Sequence, residues 1–403
     1  MPLEWLTGAT TDQKRALLTT SLGWMLDSMD MMLFSLVLTA LERDLHMSET
    51  TAGLLMTLSL IAAAVGGVFF GWLADHIGRA RALTVSMLLY SIFTGCCGLA
   101  HSTTQLAIYR VLLGLGIGGE WAAGGALVAE AWPDAHRAKA IGIAQASWAV
   151  GYALAAGVTA IVLPWLGWRA VFFVGVLPAL ITLWIRRHVK EPAIWRENKE
   201  PRSLAPLLRG KLARAGLITT TMNAASLFAW WGLFTWIPRF LSLPVAQGGR
   251  GLSVVRASSW TMFMQIGTFS GYLAFGYLAD HFGRKRTYIA FLCIAALLVP
   301  VYARAPGATM LLLLGPIIGF FGTGFFSGFT VIASEAFPTA LRGTAMGLVY
   351  NIGRLLGAAA PWIIGYAAEV RGITFALSTV SLAFLLAAAV ASLLRESGTR
   401  SLA

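Results

Sequence analysis

The chain consists mainly of long apolar segments, separated by short stretches that carry charges or turn residues. Four of these segments are about as long as the roughly 20 apolar residues that a helix needs to cross a bilayer, namely residues 52–74, 82–100, 141–163 and 308–333. A buried helix of a soluble protein is rarely so long and so poor in charge. The breaks predict twelve membrane-spanning helices, at residues 17–40, 51–74, 82–100, 104–129, 140–163, 169–187, 215–241, 257–280, 287–303, 308–333, 342–368 and 373–394.

The composition excludes a soluble globular protein. Of the 403 residues, 57% are hydrophobic and only 12% are charged, which is about half the charged fraction of a soluble domain. The net charge of +12 does not indicate nucleic-acid binding, because the Lys and Arg residues occupy short loops rather than one amphipathic face. The three cysteines lie inside apolar segments and are interpreted as packing residues, so no disulfide and no metal site is expected.

The distribution of basic residues predicts the orientation in the membrane. Twelve spans place both termini on one side, and the loops of that side carry 21 Lys and Arg residues against 7 on the opposite side. Basic loops remain in the cytoplasm. We therefore expect an integral protein of the plasma membrane, the inner membrane of a bacterium, with both termini in the cytoplasm.

The longest loop predicts where the chain divides. Residues 188–214 are rich in Lys, Arg and Pro, which indicates a solvated basic linker rather than a folded domain. A tether for anionic lipid is equally compatible with this composition. The linker separates an N-terminal six-helix half, residues 1–187, from a C-terminal six-helix half, residues 215–403.

An internal repeat supports this division. Residues 71–83 read GWLADHIGRARAL and residues 276–288 read GYLADHFGRKRTY, with eight of thirteen positions identical at an offset of 205. Residues 130–137 (EAWPDAHR) and 335–342 (EAFPTALR) match at five of eight positions with the same offset. Two matches at one offset indicate a duplicated unit, an arrangement that suits alternating access to a site between two halves.

The repeated loop G-x-L-A-D-x-x-G-R-[RK] resembles the signature of the major facilitator superfamily. The resemblance extends over essentially the whole chain and implies an all-α polytopic fold with twelve spanning helices, related in two halves by a pseudo-two-fold axis. The glycines of the loop are expected to let helices approach closely, and its charges are expected to form contacts that lock one conformation and break in the other. The predicted gating residues are Gly71, Asp75, Arg79, Glu130, Arg137, Gly276, Asp280, Arg284, Glu335 and Arg342.

Charges inside the predicted spans are candidates for function, because an ionisable group in a bilayer is costly. They are Asp27, Asp30, Arg110, Glu120 and Arg354. Under the 205-residue offset their counterparts carry no charge. These counterparts are Gly232, Thr235, Gly315, Phe325 and Ala149. The fold itself therefore does not require the charges, and transport chemistry is the better explanation.

The charge types indicate their roles. Asp27 and Asp30 are three residues apart on one helix face, and keeping both carboxylates ionised there is expensive, so one is expected to take up a proton. Arg110 cannot lose its charge and can only balance a carboxylate or bind an anion. Arg354, in the other half, is the predicted anchor for a substrate carboxylate. Further predicted substrate-binding residues are Gln145, Asn223, Gln265, Tyr350 and Asn351. The aromatic residues of the seventh span favour packing as much as substrate stacking.

Finer motifs narrow the resemblance. The segment LDSMD, residues 26–30, resembles the D-G-x-D motif of aromatic-acid and sialic-acid proton symporters, with Ser28 in the place of its glycine. RVLLGLGIGGE, residues 110–120, is similar to the pattern on their fourth helix. GWRAVFFVGVLPAL at 167–180 and YNIGRLLGAAAP at 350–361 look particularly like the sialic-acid group, which includes lactate permeases. The resemblance implies that Asp27 and Asp30, with Arg110 as partner, couple proton movement to uptake.

These observations predict a proton-coupled symporter for a small organic acid anion, either a sialic acid or a lactate-like monocarboxylate. The alternatives are an aromatic-acid, sugar or metabolite transporter of the same superfamily, and a sensor that does not transport. No catalytic constellation is present in the sequence, so an enzyme is not expected. The proton gradient is the expected energy source, with no cofactor, no nucleic-acid partner and a monomeric state in the bilayer.

Overall fold

A computed structural model describes residues 4–177, 179, 207, 209–338 and 342–394. These described residues form helices and no strand. Before the predicted linker, the helices are α1 (Glu4–Thr7), α2 (Thr11–Asp44), α3 (Glu49–Ile77), α4 (Arg79–Cys97), α5 (Thr103–Ala131) and α6 (Asp134–Val174). After it, they are α7 (Gly210–Phe234), α8 (Ile237–Ser242), a 3-10 turn (Val245–Gln247), α9 (Val254–Phe282), α10 (Arg284–Arg304), α11 (Ala308–Glu335), α12 (Arg342–Gly357), α13 (Ala360–Arg371) and α14 (Ile373–Ser392).

Over the described residues the helices coincide with the predicted spans, and their deviations follow from Gly and Pro. The second half of the predicted sixth span lies outside the described residues. α6 joins the fifth predicted span to the start of the sixth, but Gly167 (φ 76°, ψ 176°) breaks its helical backbone. The seventh span divides into α7 and α8, with Pro238 near the start of α8, and the eleventh divides into α12 and α13, with Pro361 near the start of α13. Pro fits the first turn of a helix, where its missing N–H costs nothing. Seven described helices are long and apolar enough to cross a membrane.

The chain forms two compact units. The first contains Met1–Val37 and Leu58–Glu200, and the second contains Leu38–Thr57 and Pro201–Ala403. The segment Leu38–Thr57, which the repeat places in the N-terminal half, thus belongs to the second unit. The predicted linker, residues 188–214, lies largely outside the described residues, and its last five residues begin α7.

Glycines hold α3 against α5 in the first unit. A Cβ on Gly114 would lie 3.0 Å from the carbonyl carbon of Ser59, and one on Gly118 would lie 2.5 Å from the amide nitrogen of Gly67. Such distances leave no room for any side chain, so the two backbones are in direct contact. Gly114 and Gly118, which follow Arg110 at four-residue steps on α5, thus form a packing surface for α3.

The internal repeat is visible as one contact that occurs in both units. A Cβ on Gly66 would lie 2.8 Å from the Cα of Leu115 in the first unit. A Cβ on Gly271 would lie 2.9 Å from the Cα of Phe320 in the second. Both residues of the pair are shifted by the same 205 positions. The duplication therefore preserves a helix contact as well as the loop motifs.

Candidate functional site

The four charged residues predicted for proton coupling are completely buried in the first unit. Asp27 and Asp30 lie on α2, and Arg110 and Glu120 lie on α5; each is 0% exposed. Their helices meet closely, because Gly23 of α2 has no side chain where the Glu120 carboxylate contacts it. The structure thus brings together acidic and basic groups that are up to 93 positions apart in the sequence.

Arg110 extends from α5 to α2. Its guanidinium carbon lies 4.3 Å from the centre of the Phe34 ring, and one terminal nitrogen lies 3.9 Å from the sulfur of Met31. Arg110 and Asp30 also interact electrostatically. A cation over an aromatic face retains part of its stabilisation when it is desolvated. The position of Arg110 agrees with its predicted role as the partner of the α2 carboxylates.

Asp30 has two neighbours that the sequence analysis did not identify. The Thr94 hydroxyl of α4 donates to Asp30 Oδ2 at 3.1 Å. On another side, a Cβ on Gly175 would lie 2.7 Å from Asp30 Oδ1, so the backbone after α6 closes that face. Tyr90 is also fully buried on α4, and its hydroxyl faces Glu120. The sequence contains a sign of this arrangement, because Ser86, Tyr90 and Thr94 follow one another at four-residue steps in an apolar span and so share one face of α4.

Arg354 is the most informative side chain of the second unit. It lies on α12 and is only 5% exposed. Within the described part of the chain its guanidinium forms no hydrogen bond and no ion pair. A buried charge without a counter-charge costs several kcal/mol. The guanidinium of Arg354 is therefore suited to bind an anion that is not one of the described residues.

The other predicted substrate-binding residues are mostly engaged in packing. The Asn223 side-chain amide donates to the carbonyl of Tyr350 at 3.3 Å and connects α7 to α12. The amides of Asn351 and Gln265 donate to their own helices, at Gly347 and Thr261.

Gln265 and Gln145 are the remaining predicted polar residues. The buried Gln265 Oε1 accepts no hydrogen bond from a described group, so Gln265 keeps one acceptor for a ligand. Gln145 is half-buried on α6 in the first unit. The roles of these residues stay predictions.

The predicted gating residues are only partly within the described residues. The side chains of six of them lie outside, namely Asp75, Arg79, Glu130, Arg137, Glu335 and Arg342. Of the rest, Asp280 is exposed, and Gly71 and Arg284 are half-buried. The close helix approach expected at Gly276 is absent among the described residues, since a Cβ there would meet no atom within 4 Å. The physical reason is that Gly276 faces outward from α9 in this structure.

A second charged group lies in the second unit, at the ends of several helices. We call it the Arg239 cluster; it consists of Glu42, Glu49, Thr50, Arg239 and Glu369. Arg239 Nε lies 2.6 Å from Glu42 Oε2, and Arg239 NH2 lies 3.4 Å from Glu49 Oε1. Thr50 donates from its hydroxyl (2.6 Å) and its backbone N–H (3.1 Å) to Glu369 Oε2. These contacts attach the segment Leu38–Thr57 to the second unit.

The hydrogen bonds from Thr50 also affect the ionisation of Glu369. They stabilise the carboxylate form and hold the pKa of Glu369 below its ordinary value. A cavity of about 400 Å³ is lined by the four charged residues of the Arg239 cluster and by neighbouring residues. None of the predicted substrate-binding residues lines this cavity.

Arg239→Gln is expected to lower the stability of the protein. Arg239, Glu42 and Glu49 are at most 16% exposed, and removal of Arg239 takes away the cation that favours the ionised form of both buried carboxyl groups. Breaking such a pair costs about 3–5 kcal/mol, or roughly 5–10 °C in melting temperature. Tryptophan fluorescence during heating in detergent measures the shift. Adding Glu42→Gln should restore part of the loss, and Arg256→Gln, at an exposed position, should change little. An unaltered melting temperature in Arg239→Gln would contradict the stabilising role.

The aromatic residues of the seventh span are buried and pack within the second unit. Trp230 stacks on Phe234 with ring centres 5.1 Å apart and meets Phe326 edge to face at 6.0 Å. The Trp230 indole donates to the Thr323 hydroxyl at 3.2 Å. Trp236 donates to the carbonyl of Pro361 at 3.2 Å. These contacts favour the packing interpretation for Trp230 and Trp236.

Apolar helices that can cross a membrane, duplicated helix contacts and buried charges define a polytopic membrane transporter. The family model of the Major Facilitator Superfamily matches residues 20–248 and 240–402. The chain belongs to this superfamily, and it is a transporter of a small molecule rather than an enzyme.

Relatives and solved structures agree with this assignment. A probable 4-methylmuconolactone transporter of Cupriavidus pinatubonensis is 35% identical, over 94% of this chain and 89% of its own. The sialic acid transporter NanX of Escherichia coli is 29% identical, over 95% and 94%. The crystal structure of a D-xylose-proton symporter has a TM-score of 0.76 at 20% identity, covering 94% of this chain and 97% of its own, and confirms the fold. The predicted resemblance to sialic-acid and aromatic-acid transporters is confirmed at the level of relatives.

Proposed function

We propose that this transporter couples proton entry to the uptake of a small organic acid anion by alternating access. One observation carries the proposal, namely that the buried charges do not balance within the described residues. In the first unit, three carboxylates (Asp27, Asp30, Glu120) accompany one guanidinium (Arg110). In the second unit, Arg354 has no counter-charge among the described residues. Protons can neutralise the excess carboxylates, and the carboxylate of a substrate can neutralise Arg354.

The chemical roles follow from what each group can exchange. Asp27, Asp30 and Glu120 can gain and lose a proton, whereas Arg110 remains charged and limits how many carboxylates are ionised together. Arg354 supplies a rigid fork of donors that matches a carboxylate. The proton gradient is the energy source, and no cofactor takes part. The protein functions as a monomer in the inner membrane of a bacterium, with both termini in the cytoplasm.

The substrate class is a small organic acid, and a sialic acid or a lactate-like monocarboxylate is the first candidate. The names of the relatives also support a second candidate, an acid of aromatic or muconate-like origin. Both classes present a carboxylate to Arg354 and differ in the remainder of the molecule. The uncharged part of the site therefore determines which of the two classes of acid is bound.

Reconstituted proteoliposomes test the proposal. Radiolabelled sialic acid, lactate, muconate, benzoate and the neutral sugar xylose are offered separately, with the outside more acidic than the inside. We expect at least one acid to accumulate above its external concentration, with proton entry detected by a pH dye inside the vesicles. A protonophore should abolish the accumulation. Uptake that is independent of both the proton gradient and the protonophore would contradict proton coupling. Accumulation of neutral xylose alone would contradict the proposal that the substrate is an anion.

A further inference from the structure

A polar face of α4 lies against the buried carboxylates of the first unit. Ser86, Tyr90 and Thr94 follow one another at four-residue steps, and all three are 0% exposed. Residues four apart lie on one face of a helix. Ser86 donates to the carbonyl of Gly116 on α5 at 2.6 Å, and Thr94 donates to Asp30 on α2. The face therefore contacts both helices that carry the predicted proton-coupling residues.

Tyr90 reaches Glu120 because α4 and α5 are close to each other. A Cβ on Gly116 would lie 2.9 Å from the Cβ of Tyr90. Glu120 follows Gly116 by one turn, and the Tyr90 hydroxyl faces its carboxylate. Neither group makes a well-aligned hydrogen bond to any other described residue. Within the part of the chain that the structure describes, the Tyr90 phenol is thus a polar neighbour of the Glu120 carboxylate, together with Asp27 and Asp30.

Thr94 has two acceptors but only one proton. Its hydroxyl lies 3.1 Å from Asp30 Oδ2 and 2.9 Å from the carbonyl oxygen of Tyr90. When Asp30 is ionised it only accepts, so the Thr94 proton turns toward Asp30 and the Tyr90 carbonyl loses the hydrogen bond from the Thr94 hydroxyl. When Asp30 is protonated, Asp30 donates to Thr94 and Thr94 donates to the Tyr90 carbonyl. The direction of the Thr94 hydroxyl therefore depends on whether Asp30 carries a proton.

The internal repeat indicates that these hydroxyls are not needed for the fold. At the offset of 205, Tyr90 corresponds to Ala295 and Thr94 to Val299. Ala295 and Val299 are buried as well. The second unit thus fills the same positions with apolar side chains. The polar face occurs only in the unit that has the buried carboxylates.

We propose that α4 positions the proton site: Thr94 holds Asp30 and reverses its hydrogen bond when Asp30 is protonated, while Tyr90 orients Glu120. The inference rests on the proposed proton coupling and adds two residues to it. The ionisable groups that face the two carboxylates from the surrounding described helices are Asp27, Arg110, Tyr90 and, beside Arg110, Cys97. Tyr90 and Thr94 act through the carboxylates and do not bind substrate.

The test uses two assays. The first measures proton-driven uptake as a function of pH, and the second measures substrate exchange at equal pH, which needs no net proton movement. Thr94→Val and Tyr90→Phe should shift the pH of half-maximal uptake by about one unit, because each removes a hydrogen bond to a buried carboxyl group and so changes the relative stability of its two protonation states. Exchange of labelled for unlabelled substrate at equal pH should remain. Thr94→Ser, which keeps the hydroxyl, should restore the wild-type profile.

Two matched controls separate this role from a loss of packing. Thr159→Val removes a fully buried hydroxyl that bonds only to its own helix, at 2.8 Å from the carbonyl of Ala155. Tyr288→Phe removes a buried phenol that bonds to Ser226 in the second unit. Both controls should keep the wild-type pH profile.

The outcomes distinguish the inference from the function on which it rests. A wild-type protein without proton-driven uptake contradicts the proposed function. Proton-driven uptake in wild type, with unchanged pH profiles in Thr94→Val and Tyr90→Phe, contradicts only the role of α4. If Thr94→Val does not fold and therefore fails to exchange substrate, the pH profiles of Thr94→Ala and Tyr90→Phe test the role of α4 instead. An altered profile in Thr159→Val as large as that in Thr94→Val would also overturn the inference.

Discussion

Replacement of Arg354 by Lys is expected to weaken substrate binding by about 10- to 100-fold, with little effect on stability. Lys keeps the positive charge but lacks the planar fork that binds both oxygens of a carboxylate. One charge-assisted hydrogen bond is worth about 1.5–3 kcal/mol, which corresponds to that range of affinity. Arg354→Gln removes the charge and should abolish high-affinity binding. Neither variant should lose stability without substrate, because no described residue pairs with Arg354, and Arg354→Gln removes an unpaired buried charge.

Binding to the purified protein measures this effect directly. Isothermal titration with the acid identified in the uptake screen gives the affinity of wild type, Arg354→Lys and Arg354→Gln, and melting temperatures report on folding. Arg256→Lys is the matched control, because Arg256 is exposed in the second unit. An affinity that is the same in wild type and Arg354→Lys would remove Arg354 from the substrate site. A large fall in melting temperature would instead assign Arg354 to the scaffold.

Replacement of Asp27 by Asn is expected to abolish accumulation while substrate binding persists. At one proton per substrate, a gradient of one pH unit supports about tenfold accumulation, equivalent to about 1.4 kcal/mol. Asn is similar in size to Asp but cannot exchange a proton, so uptake should stop at equal concentrations inside and outside. Asp27 is fully buried beside Asp30 and Glu120, where water cannot substitute for the lost proton acceptor.

Vesicles with a fixed inward proton gradient measure this ratio, and exchange at equal pH shows whether the protein still moves substrate. Asp12→Asn is the control, since Asp12 is exposed at the start of α2. Asp30→Asn and Glu120→Gln are compared in the same assay. Full accumulation by Asp27→Asn would exclude Asp27 from proton coupling and leave Asp30 and Glu120 as the candidates.

Much of the fold was predictable because its determinants are local or repeated. The length and composition of each apolar segment decide whether a helix can cross a bilayer. Pro238, Pro361 and Gly167 mark the breaks, although the sequence did not indicate that α7 and α12 end there. The offset of 205 predicted a duplicated architecture, which the contacts Gly66–Leu115 and Gly271–Phe320 confirm.

The candidate site was predictable only in part. Burial of Asp27, Asp30, Arg110, Glu120 and Arg354 follows from charges inside apolar spans, and all five are buried. The neighbours of these five residues could not be predicted from the sequence. The four-residue spacing of Ser86, Tyr90 and Thr94 indicates that they share one face of α4, but it does not indicate which helix or which carboxylate that face meets.

The ion pairs of the Arg239 cluster could not be predicted from the sequence either. Its members come from the ends of four helices, and their pairing depends on how those ends meet. Asn223 and Asn351 are the converse case. They are polar residues in spans, but their amides serve helix packing and helix backbone, so polarity alone predicted more binding residues than the geometry supports.

Hydropathy and repetition are properties of the residue order, so the sequence alone predicts a helical, duplicated membrane transporter with five charges inside its spans. The pairs Thr94 with Asp30, Tyr90 with Glu120, and Arg239 with Glu42 and Glu49 emerge only in the folded chain. The spacing within one helix fixes which of its residues share a face. The rotation of that face toward other helices follows from packing of the whole unit, where glycines such as Gly116 permit contacts that no local pattern specifies.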